Sequence, residues 1–147
     1  MAKFVPISLL IIYICVAIRS GINPYEINTW HVEILTSAIP VTILTIMYIR
    51  GIRFSPLAYI LMSILPIMHA IGSHYTFALV PSQRLSDLLG TDRNMYDRIA
   101  HASVGLYAFG ILELIDMKQL TRSRGFKLSY ALFAIMALAG VYELFER

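Results

Sequence analysis

Phe54-Ser-Pro-Leu-Ala-Tyr-Ile-Leu-Met-Ser-Ile-Leu-Pro-Ile-Met-His-Ala-Ile71 is the stretch that decides the fold. It contains no Asp, Glu, Lys or Arg. A bilayer core takes about 20 apolar residues of helix, with a lower limit near 17. Lipid offers the backbone no hydrogen bonds, so an apolar run this long must satisfy itself as a helix. Four segments of the same kind surround it: Phe4–Ile18, Val32–Ile49, Ile99–Met117 and Leu128–Phe145. The first is the shortest. Pro40, Pro56 and Pro66 fall within or at the start of these segments, where neighbouring helices can satisfy the groups that proline releases. The expectation is an all-α polytopic bundle of about five transmembrane helices, a single domain over residues 1–147.

The whole chain agrees. Of 147 residues, 58% are hydrophobic and 14% charged, against roughly 25% charged in soluble domains. Mean hydropathy is +0.69. Net charge is +3, and the basic residues sit at segment ends rather than in a run, so the expected partner is membrane lipid and not nucleic acid. Cys15 is the only cysteine, which leaves no intrachain disulfide. Lys3 and the apolar run to Ile18 have the outline of a signal peptide. Arg19 follows at once, however, and no small-x-small cleavage triplet precedes it, so the segment reads as an uncleaved first span.

Loop charge sets the expected orientation. With five spans, the side of the amino terminus (side A) carries Lys3, Arg50, Arg53, Lys118, Arg122, Arg124 and Lys127. The opposite side B carries Arg19, Arg84, Arg93, Arg98 and Arg147, interleaved with Asp87, Asp92 and Asp97. The excess of basic residues predicts that side A, with the amino terminus, is cytoplasmic.

The connection Tyr75–Asn94 is the one long loop. Leu85, Leu88 and Leu89 share a helical face there, which fits a short amphipathic surface segment as well as a polar loop with anchoring leucines. Gly90 ends it, and Thr91, Asp92 and Asn94 are suitable caps for the next span. Trp30, Tyr25, Tyr75, Tyr96 and Tyr142 fall near side B, as an aromatic belt does. Ala102, Gly105, Ala108, Gly110, Ala131, Ala134, Ala137 and Gly140 predict close helix packing in the last two spans.

Topology then brings distant ionisable residues to one depth. Side B receives His31 and Glu33 from the second span, His69 and His74 from the third, Asp97, Arg98 and His101 from the fourth, and Glu143 and Glu146 from the fifth. Asp97 and His101 are i, i+4 and share a face; Glu143 and Glu146 are i, i+3. His69 and His74 are about 140° apart around an ideal helix and converge only if it ends or bends near Gly72. Ionisable side chains in a membrane are costly and usually face the interior, paired or in use. Each has a plain structural reading as well: Asp97 suits a helix amino end, His101 can pair with Asp97, and Arg98 can hold a lipid phosphate. Glu113 lies twelve residues past His101 and is expected near side A with Asp116. The convergence as a whole points to a site, with His69, His74, Asp97, Arg98, His101 and Glu143 as its candidate catalytic residues and Glu33, Glu146, Tyr75 and Tyr96 around them.

Histidine nitrogens with carboxylates suit a divalent metal (zinc, manganese or iron). His69, His74, His101, Asp97 and Glu143 are the candidate ligands, since a catalytic zinc needs about three plus an open position. The chain has no His-Glu-x-x-His and no nucleophile motif. The alternative is a metal-free network of His–acid pairs and Arg98.

Thr29-Trp30-x-x-Glu33, His69-x-x-Gly72-Ser73-His74-Tyr75-Thr76-Phe77, Asn94-x-Tyr96-Asp97-Arg98-x-x-His101 and Tyr142-Glu143-x-x-Glu146 together resemble the YjdF-like family of bacterial inner-membrane proteins. The likeness covers most of the chain. It implies an all-helical multi-spanning protein of the inner membrane and no particular reaction. A more distant similarity links the family to VanZ-like membrane proteins, as an analogy of fold. Met95 stands where members often carry a histidine or other polar residue. Members also usually continue past Glu143–Glu146 into a further acidic, tryptophan-containing segment and another helix. A shortened member is expected, or a site completed by a second copy or a partner subunit.

Two classes of function fit. In the first, the side B site activates water against a lipid or isoprenoid headgroup, as a metal or acid–base enzyme. In the second, the same residues line a vestibule for an ion or small solute, or form the interface of an accessory subunit. The first is preferred, because the segments show no inverted repeat and, apart from Glu113, little polarity deeper than side B.

Overall fold

The computed structural model describes residues 4–77, 79–81, 90 and 94–146, with the side chains of 142–146 outside that description. Its elements are α1 (Phe4–Ser20), α2 (Ile27–Ile49), α3 (Pro56–Tyr75), α4 (Tyr96–Ser103), a 3-10 turn (Val104–Leu106), α5 (Tyr107–Met117) and α6 (Arg124–Glu146). No strand occurs among the described residues. Four of the five expected segments are helices long and apolar enough to span: α2, α3, the combined Tyr96–Met117 rod, and α6. The fifth, α1, has 17 residues, at the lower limit for crossing. Val5 and Leu9 near its start pack on the cluster of Phe54, Ala58, Tyr59 and Met62 at one end of α3, while Ser20 at its end meets His74 at the other. It therefore runs the depth of its neighbour. The amphipathic segment expected around Leu85, Leu88 and Leu89 lies outside the described residues.

The helices end as their sequences dictate. Ser55 caps α3 by accepting from Ala58 N at 3.1 Å, with Pro56 in the first turn, where its missing N–H costs nothing. At the far end of α2, Gly51 takes φ +85°, and Gly51 N and Ile52 N return to Tyr48 O and Met47 O. That is the Schellman pattern with glycine at its left-handed position. Gln119 repeats it after α5 at φ 53°. The fourth span departs from a single straight helix: the 3-10 turn at Val104–Leu106 tightens it eight to ten residues past Tyr96.

α3 is the central helix. In its most apolar window 44% of residues are buried, against 6% for α2, 22% for Tyr96–Met117 and 6% for α6. Phe54, Ala58, Tyr59 and Met62 form the core, and Leu44, Met47 and Tyr48 of α2 and Tyr107 and Leu114 of α5 pack on it. α3 touches α1, α2, α4 and α5, whereas α6 packs on α5 and the 3-10 turn. Lipid tails are as apolar as these side chains, so close packing and polar bonds hold the bundle, not a hydrophobic drive between helices. Gly110 shows it: an added Cβ would meet Met62 Sδ at 2.4 Å. Ala131 is buried. Gly105 and Gly140, by contrast, have nothing within 4 Å of an added Cβ, and Ala102 and Ala137 are exposed. The expected small-residue contacts thus narrow to a few positions, because α6 touches the bundle along one edge.

Candidate functional site

The bundle is open on one side. Among the described residues α2 and α6 flank α3 and α5 with little or no packing on each other, and the space between them is a groove of about 340 Å³. Ile43, Met47, Leu65, Ile111, Leu114 and Leu138 line its body, and His69 and His101 sit in its wall. Both histidines belong to the side B ends of their helices. The groove therefore runs from an apolar interior towards a polar rim.

Each of these histidines faces a carboxylate. His69 Nδ1 lies 3.2 Å from Glu33 Oε2, with side chains 6% and 13% exposed. His101 Nε2 lies 3.3 Å from Asp97 Oδ1, with side chains 32% and 49% exposed. The first pair joins α3 to α2; the second is the expected i, i+4 pair on α4. A carboxylate oxygen accepts, so His69 donates through Nδ1 to Glu33, while His101 and Asp97 stand at ion-pair distance. This is how a carboxylate fixes the tautomer of a histidine base.

The two central motifs are one clasp. At the end of α3, Thr76 and Phe77 both take left-handed backbone, φ 56° and 54°. Side chains other than glycine pay roughly 1–2 kcal/mol each for that conformation. Phe77 N returns to Gly72 O at 2.9 Å, and the Phe77 ring stands edge-on to His69 at 5.0 Å. Gly72 makes this possible, because a Cβ there would lie 2.6 Å from the Phe77 ring. From the start of α4, Asn94 Nδ2 donates to Phe77 O at 3.1 Å and Asn94 Oδ1 accepts from Tyr96 N at 2.9 Å. Tyr96 Oη donates to Met68 O at 2.8 Å. His69, Gly72, Phe77, Asn94 and Tyr96 are thus tied together by packing and main-chain bonds.

His74 is not part of this group. It faces α1, where Nδ1 donates to Ser20 O at 2.9 Å and the ring meets Tyr75 at 4.6 Å. The 140° between His69 and His74 is not closed by a bend, since α3 continues to Tyr75 before it turns. His31 is exposed on α2, edge-on to Trp30. Arg98 is exposed beside Asp97. The side chains of Glu143 and Glu146 lie outside the described residues. Among the described residues, no three His, Cys, Asp or Glu side chains gather into a group that could hold a metal ion; His69 and His101 line the groove, while His74 faces α1.

Sequence reasoning placed Glu33 around the site and not in it, yet Glu33 is the direct partner of buried His69. The signal was available, because an acid six residues into an apolar helix needs a partner. Phe77 and Asn94 were visible only as motif letters. Glu113 lies at side A as expected, but it does not reach out beside Asp116: it turns to α3, accepting from Ser55 N at 2.8 Å and from Ser55 Oγ.

Comparison with known proteins supports the helical membrane assignment. Inner membrane protein YjdF of Escherichia coli (strain K12) is 30% identical over 133 residues, which is 89% of this chain and 63% of that protein. The chain therefore spans less than two thirds of the length of this curated relative. No solved structure matches. The family model described as "Predicted membrane protein (DUF2238)" matches residues 5–147. With nearly every residue matched, the chain belongs to the DUF2238 family of membrane proteins.

Proposed function

We propose that the protein is an inner-membrane acid–base enzyme acting on the headgroup of a lipid or isoprenoid amphiphile. The observation that carries this reading is the groove: its body is apolar, and its wall at side B holds two histidines, each with its own carboxylate. A pocket of roughly 300–1,000 Å³, largely apolar with a few convergent polar groups, is the usual form of a small-molecule site. The tail would lie along Ile43, Leu65, Ile111 and Leu138 and bring the headgroup to the histidines. Arg98 on α4 would draw an anionic head to the rim.

His69, buried and oriented by Glu33, serves as the base that takes a proton from water or from a hydroxyl of the substrate. The carboxylate stabilises the imidazolium that results, as in a catalytic triad. His101, half-exposed with Asp97, returns or removes the proton at the aqueous rim. Phe77 and the Asn94 clasp hold the His69 ring. With side A cytoplasmic, as the basic residues indicate, the headgroup is handled at the outer face. Solute transport is the weaker reading, because Phe54, Met47 and Leu114 line the side A part of the groove with apolar side chains.

The test is turnover. Purified protein is incubated in mixed micelles with a panel of phospholipids and prenyl phosphates, and products are separated by chromatography. Product formation that falls about 100-fold or more in His69→Ala, the usual range for a lost acid–base group, is expected. Equal product from wild type and His69→Ala would sink the assignment.

A further inference from the structure

On the far side of α3 from the groove, between the side B ends of α1 and α3, lies an open notch of about 420 Å³. Arg19, His74 and Tyr75 line its upper part and Cys15, Val16 and Ile71 its lower part. We propose that this notch binds the anionic phosphate of a phospholipid, with the first carbons of its chains against Cys15, Val16 and Ile71. This site is independent of the groove and of any reaction there.

Three observations carry it. The first is charge. Arg19 is exposed, and neither an ion pair nor a hydrogen bond to an acid occurs for it among the described residues; their ion pairs are Glu33–His69, Asp97–His101 and Asp116–Lys127. Among the described residues no acid lines the notch. A lone guanidinium at a membrane face takes a phosphate in a two-pronged bond. The second is depth. Trp30 Nε1 donates to Ser20 Oγ at 2.9 Å, beside Arg19, and an added Cβ at Gly21 would meet the Trp30 ring at 2.7 Å. Tryptophan in this position marks the headgroup level, so the notch opens where lipid phosphates lie. The third is rigidity. The His74 ring is held by Ser20 O, and a carbonyl can only accept, so Nδ1 carries a proton and the ring's direction is set. Tyr25 N donates to His74 O at 3.0 Å and ties the connecting turn to the same point. The wall is therefore built before a ligand arrives. A basic residue in the last turn of α1 also favours the helix dipole, but lysine does that equally well, and this separates the two roles.

The experiment is native mass spectrometry of the full chain, released from micelles containing equal amounts of phosphatidylglycerol and diacylglycerol with matched acyl chains. Retention of phosphatidylglycerol over diacylglycerol by about tenfold is expected, the worth of one charge-assisted hydrogen bond. Arg19→Gln should reduce the ratio to near one and Arg19→Lys should leave an intermediate ratio, every chain being measured in an Ile43→Trp background that fills the separate groove so that lipid held there does not contribute. Inorganic phosphate alone is the second arm, read as a thermal shift. A shift in wild type that Arg19→Gln abolishes, without phosphatidylglycerol preference, assigns the notch to a soluble anion and overturns the lipid. Wild-type preference retained in Arg19→Gln, with the variant monodisperse and helical, overturns the notch itself.

Discussion

Glu33 and Glu113 are both carboxylates on membrane helices, one towards side B and one towards side A, and the bundle treats them differently. Glu113 completes a helix end. It takes the Ser55 amide and hydroxyl, and Ser55 Oγ in turn accepts from Ala58 N. Every partner is a donor that the start of α3 would otherwise leave unmet, and the negative charge sits where the dipole favours it. Nearby Asp116 pairs with Lys127 across the turn to α6. Glu33 caps nothing. Its partner is a titratable ring, His69, which lines a groove and is held by an aromatic residue in strained backbone. The side A carboxylate is accounted for by folding. The side B pair is more than folding requires, since two apolar side chains would fill the same place at no electrostatic cost.

That contrast can be broken most sharply at Glu33. Glu33→Ala leaves the buried Nδ1–H of His69 without its acceptor and should destabilise the bundle by about 1–3 kcal/mol. The double variant Glu33→Leu/His69→Leu removes both polar partners while keeping volume, and should recover most of that stability without recovering turnover. Reversible unfolding in mixed micelles measures the first, and product formation the second. A double variant as unstable as Glu33→Ala would make the pair a structural element like Glu113.

Gly72→Ala tests how the pair is held. The new Cβ would meet the Phe77 ring, so the ring must leave His69. Overpacking of this kind costs about 1–3 kcal/mol, and turnover should fall with it. Phe77→Ala in the same chain should relieve the strain but not the activity, because the His69 ring stays unsupported. At side A, Glu113→Ala should cost about 1–2 kcal/mol, the range for a lost cap with its dipole contribution, and leave turnover per folded molecule unchanged. Loss of turnover there would merge the two regions into one.

The fold and the two regions were not equally legible in the sequence. Uncharged runs such as Phe54–Ile71 report their own environment, so the spans followed from length alone. Depth was also legible: alternation of spans put Glu33, His69, Asp97 and His101 at one end and Glu113 at the other. Rotation about each helix axis was not. His69 and His74 share a depth and face opposite neighbours, and a few residues of sequence carry no information about which way α3 turns in the bundle. Tertiary closure was equally hidden. Phe77 covering His69 depends on two left-handed residues other than glycine, which local propensity disfavours and only the Asn94 and Gly72 contacts hold in place. The break at Val104–Leu106 carries no proline and gave no signal either.

The smallest expected effect lies between the two regions, at Tyr107. Its ring packs on the α3 core and lines the groove, while its hydroxyl is buried without a hydrogen-bond partner in the structure. By contrast Tyr13, also within the bundle, pairs with Ser37 at 2.9 Å. A buried hydroxyl left unpaired carries a desolvation cost of about 1–3 kcal/mol, and phenylalanine keeps the ring without it. Tyr107→Phe should therefore be neutral or more stable by up to about 1 kcal/mol, with groove volume and turnover unchanged. Tyr13→Phe is the matching control and should be less stable, because it leaves Ser37 short of a partner. If Tyr107→Phe instead lowers turnover without lowering stability, the polar part of the groove extends from the side B rim into the core, and the division between a folding end and a working end must be drawn one or two helical turns deeper.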